Sequence, residues 1–245
     1  MTPLPFLGAA LASAAAVYGV GAFIGNEYVY FASYTVAQYV VLATAWNILG
    51  GYTGYVNFGS AGFFAIGAYS SVVLHKTMSL PLLLMIPISG TVTALIGLFM
   101  GYLTLRLRGV FFAIATLAMA IVLHTLIINW SFVGGARGAY IIRPREVIFF
   151  NSYSEYLFAV MLLLAALAVF IARWVQNSKL GRGLAAIRDD ETAAECSGVP
   201  TLKLKLIATS LSGFLMGVAG APFPYYVTYL DPAGAFFKLR REGLG

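Results

Sequence analysis

Of 245 residues, 60% are apolar before glycine is counted and only 10% are charged, against about 45–50% apolar and about 25% charged in an average soluble domain. Fifteen Lys and Arg against nine Asp and Glu give a formal charge of +6, and the mean hydropathy is +0.87. So few charges cannot wet a globular surface of this size, which excludes a soluble enzyme, a disordered chain and a nucleic-acid-binding domain and points to an integral membrane protein. The single cysteine, Cys196, excludes an intramolecular disulfide, and two histidines, His75 and His124, leave little for a metal site. No Lys or Arg precedes the first apolar run, so a cleaved signal peptide is not expected.

A helix crosses an apolar core of about 30 Å with about 20 residues. Cutting the chain at charges, prolines and polar clusters gives seven candidate spans, roughly 6–25, 28–49, 57–74, 81–105, 109–129, 155–173 and 206–228. All are far longer than the ten or so alternating residues of a barrel strand. The expected fold class is all-α, a polytopic transmembrane helical bundle forming a single domain over 1–245. With the Arg106/Arg108 loop placed inside, the inner loops hold eight Lys and Arg and the outer loops four. This bias places the N-terminus in the cytoplasm.

Two stretches depart from plain spans. Between Asn47 and Gly62 lie the polar and glycine positions Asn47, Gly51, Gly54, Asn57, Gly59 and Ser60, and no charge occurs from Tyr28 through Leu74. Such a cluster fits a broken or re-entrant segment facing a cavity, because lipid cannot satisfy freed backbone groups, and breaks of this kind lie on the substrate route of carriers. It equally fits a tight cytoplasmic turn with small residues for helix packing. Those six residues are the candidates for the translocation path.

The second stretch, 173–205, gathers ten charges in 33 residues, too long for a bundle turn of about 2–8 residues. Ser178 can cap a short helix in which Leu180, Leu184 and Ile187 share one face. Asp189 or Asp190 can cap a second, ended by Gly198 with Pro200 beyond. An interfacial helix on anionic lipid would carry Lys and Arg on its polar face. The acidic run Asp189-Asp190-Glu191 favours a protein partner instead.

No P-loop is present, and no two histidines have metal-ligand spacing. The spans hold no ionisable group at mid-depth except His124 near the outer end of 109–129, expected to bond a neighbouring helix or water. Gln38, Asn47, Asn57 and Asn129 read as interhelical hydrogen-bonding groups, and Gly97-x3-Gly101 and Gly213-x3-Gly217 as sites of close helix approach. A translocator of this composition must receive its energy from elsewhere.

Three blocks carry a resemblance: Gly51–Tyr69 (GYTGYVNFGSAGFFAIGAY), Leu105–Leu117 (LRLRGVFFAIATL) and Ser178–Glu195 (SKLGRGLAAIRDDETAAE), the last continuing through Gly198 to Lys205 and Ser212-Gly213-Phe214. In this order they resemble the permease subunits of branched-chain amino acid ABC transporters, over about 45–235. The resemblance implies a second homologous permease, two cytoplasmic ATPase subunits that bind the ATP, an extracytoplasmic solute-binding protein and a bacterial or archaeal inner membrane. It implies no cofactor, catalytic residue or metal in this chain itself. It also makes 176–205 the ATPase-coupling loop, with Arg182, Ala186, Arg188, Asp189, Asp190, Glu191, Ala193, Ala194, Glu195 and Gly198 as its residues.

The family usually has a larger polar residue where Ser60 stands. Its members also continue with further hydrophobic helices, whereas 237–245 forms an atypical tail, so the chain is expected to be truncated or altered in frame at its end. The alternative to an ABC importer permease is a self-sufficient channel or secondary carrier for a small polar solute, and a urea or amide importer permease is the closer variant.

Overall fold

The structure, a computed structural model, describes residues 3–143, 150 and 152–237. Long helices dominate: α1 (Pro3–Ile24), α2 (Glu27–Thr53), α3 (Ser60–Met78), α4 (Leu82–Thr104), α5 (Val110–Ile128), α6 (Tyr153–Asn177) and α9 (Thr201–Gly220). Between α6 and α9 lie the short helices α7 (Lys179–Asp189) and α8 (Glu191–Cys196), and after α9 come α10 (Phe223–Val227) and α11 (Pro232–Phe237). Two-residue strands β1 (Ala139–Tyr140) and β2 (Tyr229–Leu230) pair antiparallel, Ala139 opposite Leu230. The chain is an all-α polytopic bundle.

Among the described residues, five segments, in α1, α4, α5, α6 and the run Thr201–Val227, are long and apolar enough to cross a membrane. Helices α2 and α3 occupy the other two expected spans. They are less apolar because they carry groups such as Gln38, Thr53 and Ser71, all of which are buried against neighbouring helices.

Polarity is distributed inside out. Leu83, Leu95, Phe99, Val110, Phe111, Ile114 and Leu126 are exposed, while Ser71, Ser89, Thr93, Thr209 and Ser212 are buried. Lipid accepts the first set, and the second is used for helix contact. Ser212 Oγ of α9 donates to the Ala45 carbonyl of α2 at 2.7 Å, and Ser210 Oγ to Ala94 of α4 at 3.2 Å. The run containing α9 is the most buried of the candidate spans. A Cβ at Gly67 would collide with the Gly217 backbone, and one at Gly217 would lie 3.0 Å from the Ser89 carbonyl oxygen. Only glycine admits α3 and α4 this close to α9. The Gly213/Gly217 pair therefore packs helices, as expected.

Loop contacts define two ends. At one, loop 54–59, the turn at 105–109 and the segment 178–200 meet, and Arg108 reaches Glu195 at 3.3 Å. At the other, Lys76 Nζ donates to the Phe132 carbonyl at 3.1 Å, and Tyr225 Oη pairs with His75 Nδ1 at 2.9 Å. There β2 turns the chain back so that α11 packs on α3 and α5, with Phe236 against the His124 ring at 5.0 Å. The tail from Lys238 onward, like Arg145, lies outside the described residues.

Candidate functional site

The segment between α6 and α9 is built as its sequence punctuation predicts. Ser178 Oγ accepts from the Gly181 amide at 3.3 Å, starting α7. Leu184 and Ile187 are buried, with Leu180 partly buried beside them. Asp190, rather than Asp189, caps α8, its Oδ1 accepting from the Thr192 and Ala193 amides at 2.8 and 3.0 Å. Gly198, at φ +82°, releases the chain from that helix. The result is a compact knob: Ala194 is buried, Ala186 and Glu191 are half-buried, and Arg182, Arg188, Asp189, Asp190, Ala193, Glu195 and Gly198 are exposed.

Glu191 turns inward. Lys205 Nζ, on the first turns of α9, lies 2.7 Å from Glu191 Oε1, and the Tyr55 hydroxyl donates to Glu191 Oε2. Lys205 is 2% exposed. It also lies 3.3 Å from the Tyr55 oxygen, donates to the Leu105 carbonyl at 3.4 Å and sits 4.6 Å from the centre of the Tyr55 ring. Arg108 approaches Glu191 at 3.8 Å, and Phe112 packs edge-on to Tyr55 at 5.1 Å. Burial alone would raise the Glu191 pKa, but the Lys205 ammonium, the Tyr55 hydroxyl and Arg108 outweigh it and hold the carboxyl below its ordinary range. Burial and the hydrogen bond to Glu191 push the Tyr55 phenol up, so it stays a donor. Four loop and helix ends are thereby fastened together, and Arg188 adds a fifth contact by donating to the Gly51 carbonyl at 3.3 Å.

Tyr55 belongs to loop 54–59, and this loop also reaches into the bundle. Gly54, at φ 75°, ends α2. The Phe58 amide donates to Thr116 Oγ1 of α5 at 3.2 Å, and Gly59 packs on the Thr116 backbone. Beyond it opens a cavity of about 490 Å³, bounded by α2, α3, α9, α10 and α11. Asn57, Phe58 and Ser60 lie at the loop end, and Phe223, Tyr226 and Phe236 elsewhere on its wall. Its α2 wall is Phe31, Thr35, Gln38, Tyr39, Leu42 and Trp46, one helical stripe. Thr35 Oγ1 and Tyr226 Oη are 2.7 Å apart.

This geometry can be set against known proteins. The family described as branched-chain amino acid transport system, permease component, matches residues 28–240. The chain belongs to this permease family. The high-affinity branched-chain amino acid transport system permease proteins LivM of Salmonella typhimurium and Escherichia coli are each 28% identical to it over 224 residues, 81% of this chain and 53% of theirs. The probable branched-chain amino acid transport permease protein LivH of Methanocaldococcus jannaschii is 25% identical over 193 residues, 74% of this chain and 61% of its own. The chain thus spans about half the length of the two LivM relatives. No solved structure matches it.

In this branched-chain permease family member the six path candidates separate. Asn57 and Ser60 line the large cavity. Asn47 and Gly51 line a smaller one of about 300 Å³ at the charged end, together with Arg182, Ala185 and Arg188 of α7. Gly54 and Gly59 shape the loop between them. Lys205 reads in the sequence as one more loop charge, with its apolar neighbours Leu204 and Leu206 as the only local signal of burial, yet the structure buries it against Glu191 and Tyr55. Gln38 read as interhelical glue, yet it lines the cavity.

Proposed function

We propose that this chain is a permease subunit of an ABC importer for branched-chain or related amino acids in a bacterial or archaeal inner membrane, with its N-terminus in the cytoplasm. ATP is bound by two cytoplasmic ATPase subunits and not by this chain. A second homologous permease completes the pathway, and an extracytoplasmic binding protein delivers the solute. The observation that carries this reading is the α7–α8 knob: exposed on one side, fastened on the other to the loop that reaches the cavity.

The fastening gives a mechanism. The exposed face at Asp189, Asp190, Ala193 and Gly198 seats against an ATPase. When the ATPases close, α7 and α8 move as a rigid body. Glu191 then pulls on Tyr55 and Lys205, and Arg188 on the end of α2. Asn57 and Phe58, two and three residues beyond Tyr55, shift with the loop and alter the cavity wall. The driving energy is supplied by the partners.

A complex purified through a tag on this chain tests the proposal. ATPase subunits are expected with the unaltered chain and not with Gly198→Arg, whose bulk sits on the exposed knob at a positive φ. Uptake of L-leucine into liposomes by the chain with no ATPase present would contradict the proposal and make it a self-sufficient carrier.

A further inference from the structure

We propose that the charged end of the bundle holds an anionic glycerophospholipid, with its phosphate at Arg173 and Arg182 and an acyl chain in the groove between α1, α2 and α6. The site is distinct from the Glu191–Lys205 fastening and from the cavity at Asn57 and Ser60.

Charge comes first. The segment 173–205 divides by sign: Arg173, Lys179, Arg182 and Arg188 precede Asp189, Asp190, Glu191 and Glu195. Each of the four acids is engaged. Asp190 caps α8, Glu191 meets Lys205, Glu195 meets Arg108, and Asp189 lies 3.9 Å from Arg188. Arg173 and Arg182 pair with no carboxylate among the described residues. Arg173 donates to Gln176 Oε1 at 2.9 Å, and Arg182 to the Asn177 carbonyl at 3.5 Å. A guanidinium carries five N–H donors in a fork that matches phosphate, so most of theirs remain for a ligand.

Shape names the ligand. Three cavities run one into the next from these arginines. The first, about 300 Å³, has Arg182 and Arg188 on its wall and shares Asn47, Tyr52 and Gln176 with the second. The second, about 520 Å³, has Arg173 on its wall and shares Phe6 and Val169 with the third. The third, about 610 Å³, is a groove whose described lining is apolar apart from Ser13 and Ser33. Leu162, in that groove, lies about 16 Å from Arg173 along α6 at 1.5 Å per residue. That is the depth of one leaflet of an apolar core about 30 Å thick. A polar head followed by an apolar path one leaflet deep is the outline of a phospholipid. A free phosphate or nucleotide would fill the first part and leave the groove empty.

Depth agrees. Residues 157–172 carry no charge, and Arg173 is the first to follow them. Its guanidinium stands 5.8 Å from the centre of the Phe6 ring, as a long basic side chain does when its stem lies on apolar surface and its head reaches the interface. Trp46, on the second cavity, and Trp174 are both exposed, and tryptophan concentrates at the headgroup level. Basic pockets between helices at that level recognise anionic headgroups.

Trp46 supplies the probe. With Trp130→Phe and Trp174→Phe it is the chain's one tryptophan. The chain is reconstituted in phosphatidylcholine with increasing fractions of brominated phosphatidylglycerol or, separately, brominated phosphatidylcholine. Half-maximal quenching is expected at a roughly tenfold lower fraction of phosphatidylglycerol. One basic side chain near an anionic headgroup is worth about fivefold, so Arg173→Gln/Arg182→Gln should abolish the preference. Arg173→Lys/Arg182→Lys should keep at least half of it, which separates charge from misfolding. Lys179→Gln removes the same charge from α7 outside the cavities and should leave the preference unchanged. Equal quenching by the two lipids, a preference that survives the double glutamine variant, or its loss in the lysine variant would each overturn the site. So would an equal loss in Lys179→Gln, which would make the attraction diffuse, or displacement by millimolar inorganic phosphate, which would make the ligand a free anion.

Discussion

The charged end and the cavity solve opposite problems with buried polar groups. At the charged end Lys205, Glu191 and Tyr55 satisfy one another, and the carboxylate is held ionised by what surrounds it. In the cavity the described lining residues are neutral, and Gln38 Nε2 has no hydrogen-bond partner among the described residues. The first arrangement holds the ends of α8, α9 and loop 54–59 together. Loop 54–59 serves both, with Tyr55 in the fastening and Asn57 and Phe58 on the cavity wall.

The contrast can be broken most forcefully at Lys205. Lys205→Met leaves the half-buried Glu191 without its closest cation, and the loss should lie near the lower end of the about 3–5 kcal/mol of a broken buried pair, measured as detergent-phase thermal unfolding. The double variant Lys205→Met/Glu191→Met should recover most of that stability while still failing to couple. Equal instability of single and double variants would make the site a matter of packing alone.

A smaller effect is expected at Ser178. Ser178→Ala removes the N-cap of α7, worth about 1 kcal/mol. It should weaken ATPase co-purification without altering the rate at which a Ser60→Cys thiol on the cavity wall reacts with a small polar reagent in the Cys196→Ser protein. A change in that rate would show that the two regions are not separable.

The smallest effect concerns pH. Glu191 has a lowered folded-state pKa, so the stability it contributes is present above its ordinary value of about 4.3. It is lost as pH falls through the lowered folded value. Between about pH 5 and 8 this group should therefore contribute no change. A loss of stability attributable to Glu191 in that window, absent in Glu191→Gln, would contradict the fastening.

Much of this was legible in the sequence where local rules act alone. Ser178 and Gly198 punctuate the knob as their side-chain and backbone chemistry predict, and Leu184 and Ile187 fall on the buried face. The glycine cluster left two possibilities, and the structure has features of both: α2 runs on to Thr53 and ends in a six-residue loop, yet that loop reaches Thr116 inside α5. What the sequence did not reveal depends on distant contacts. Lys205 meets Tyr55 across 150 positions, and Thr35 meets Tyr226 across 191. No local periodicity encodes such pairs, and a lysine beside a charged loop looks solvated until α9 is placed against α4.

In the mechanism proposed above, ATPase motion reaches the cavity through Tyr55. The most direct measurement is the number of L-leucine molecules taken up per ATP hydrolysed by the reconstituted complex, comparing Tyr55→Phe with the unaltered chain. Tyr55→Phe removes only the hydroxyl that donates to Glu191 and keeps the ring against Phe112. ATPases are expected still to co-purify and hydrolyse ATP while uptake per ATP falls severalfold. An unchanged ratio, with both rates normal, would contradict it.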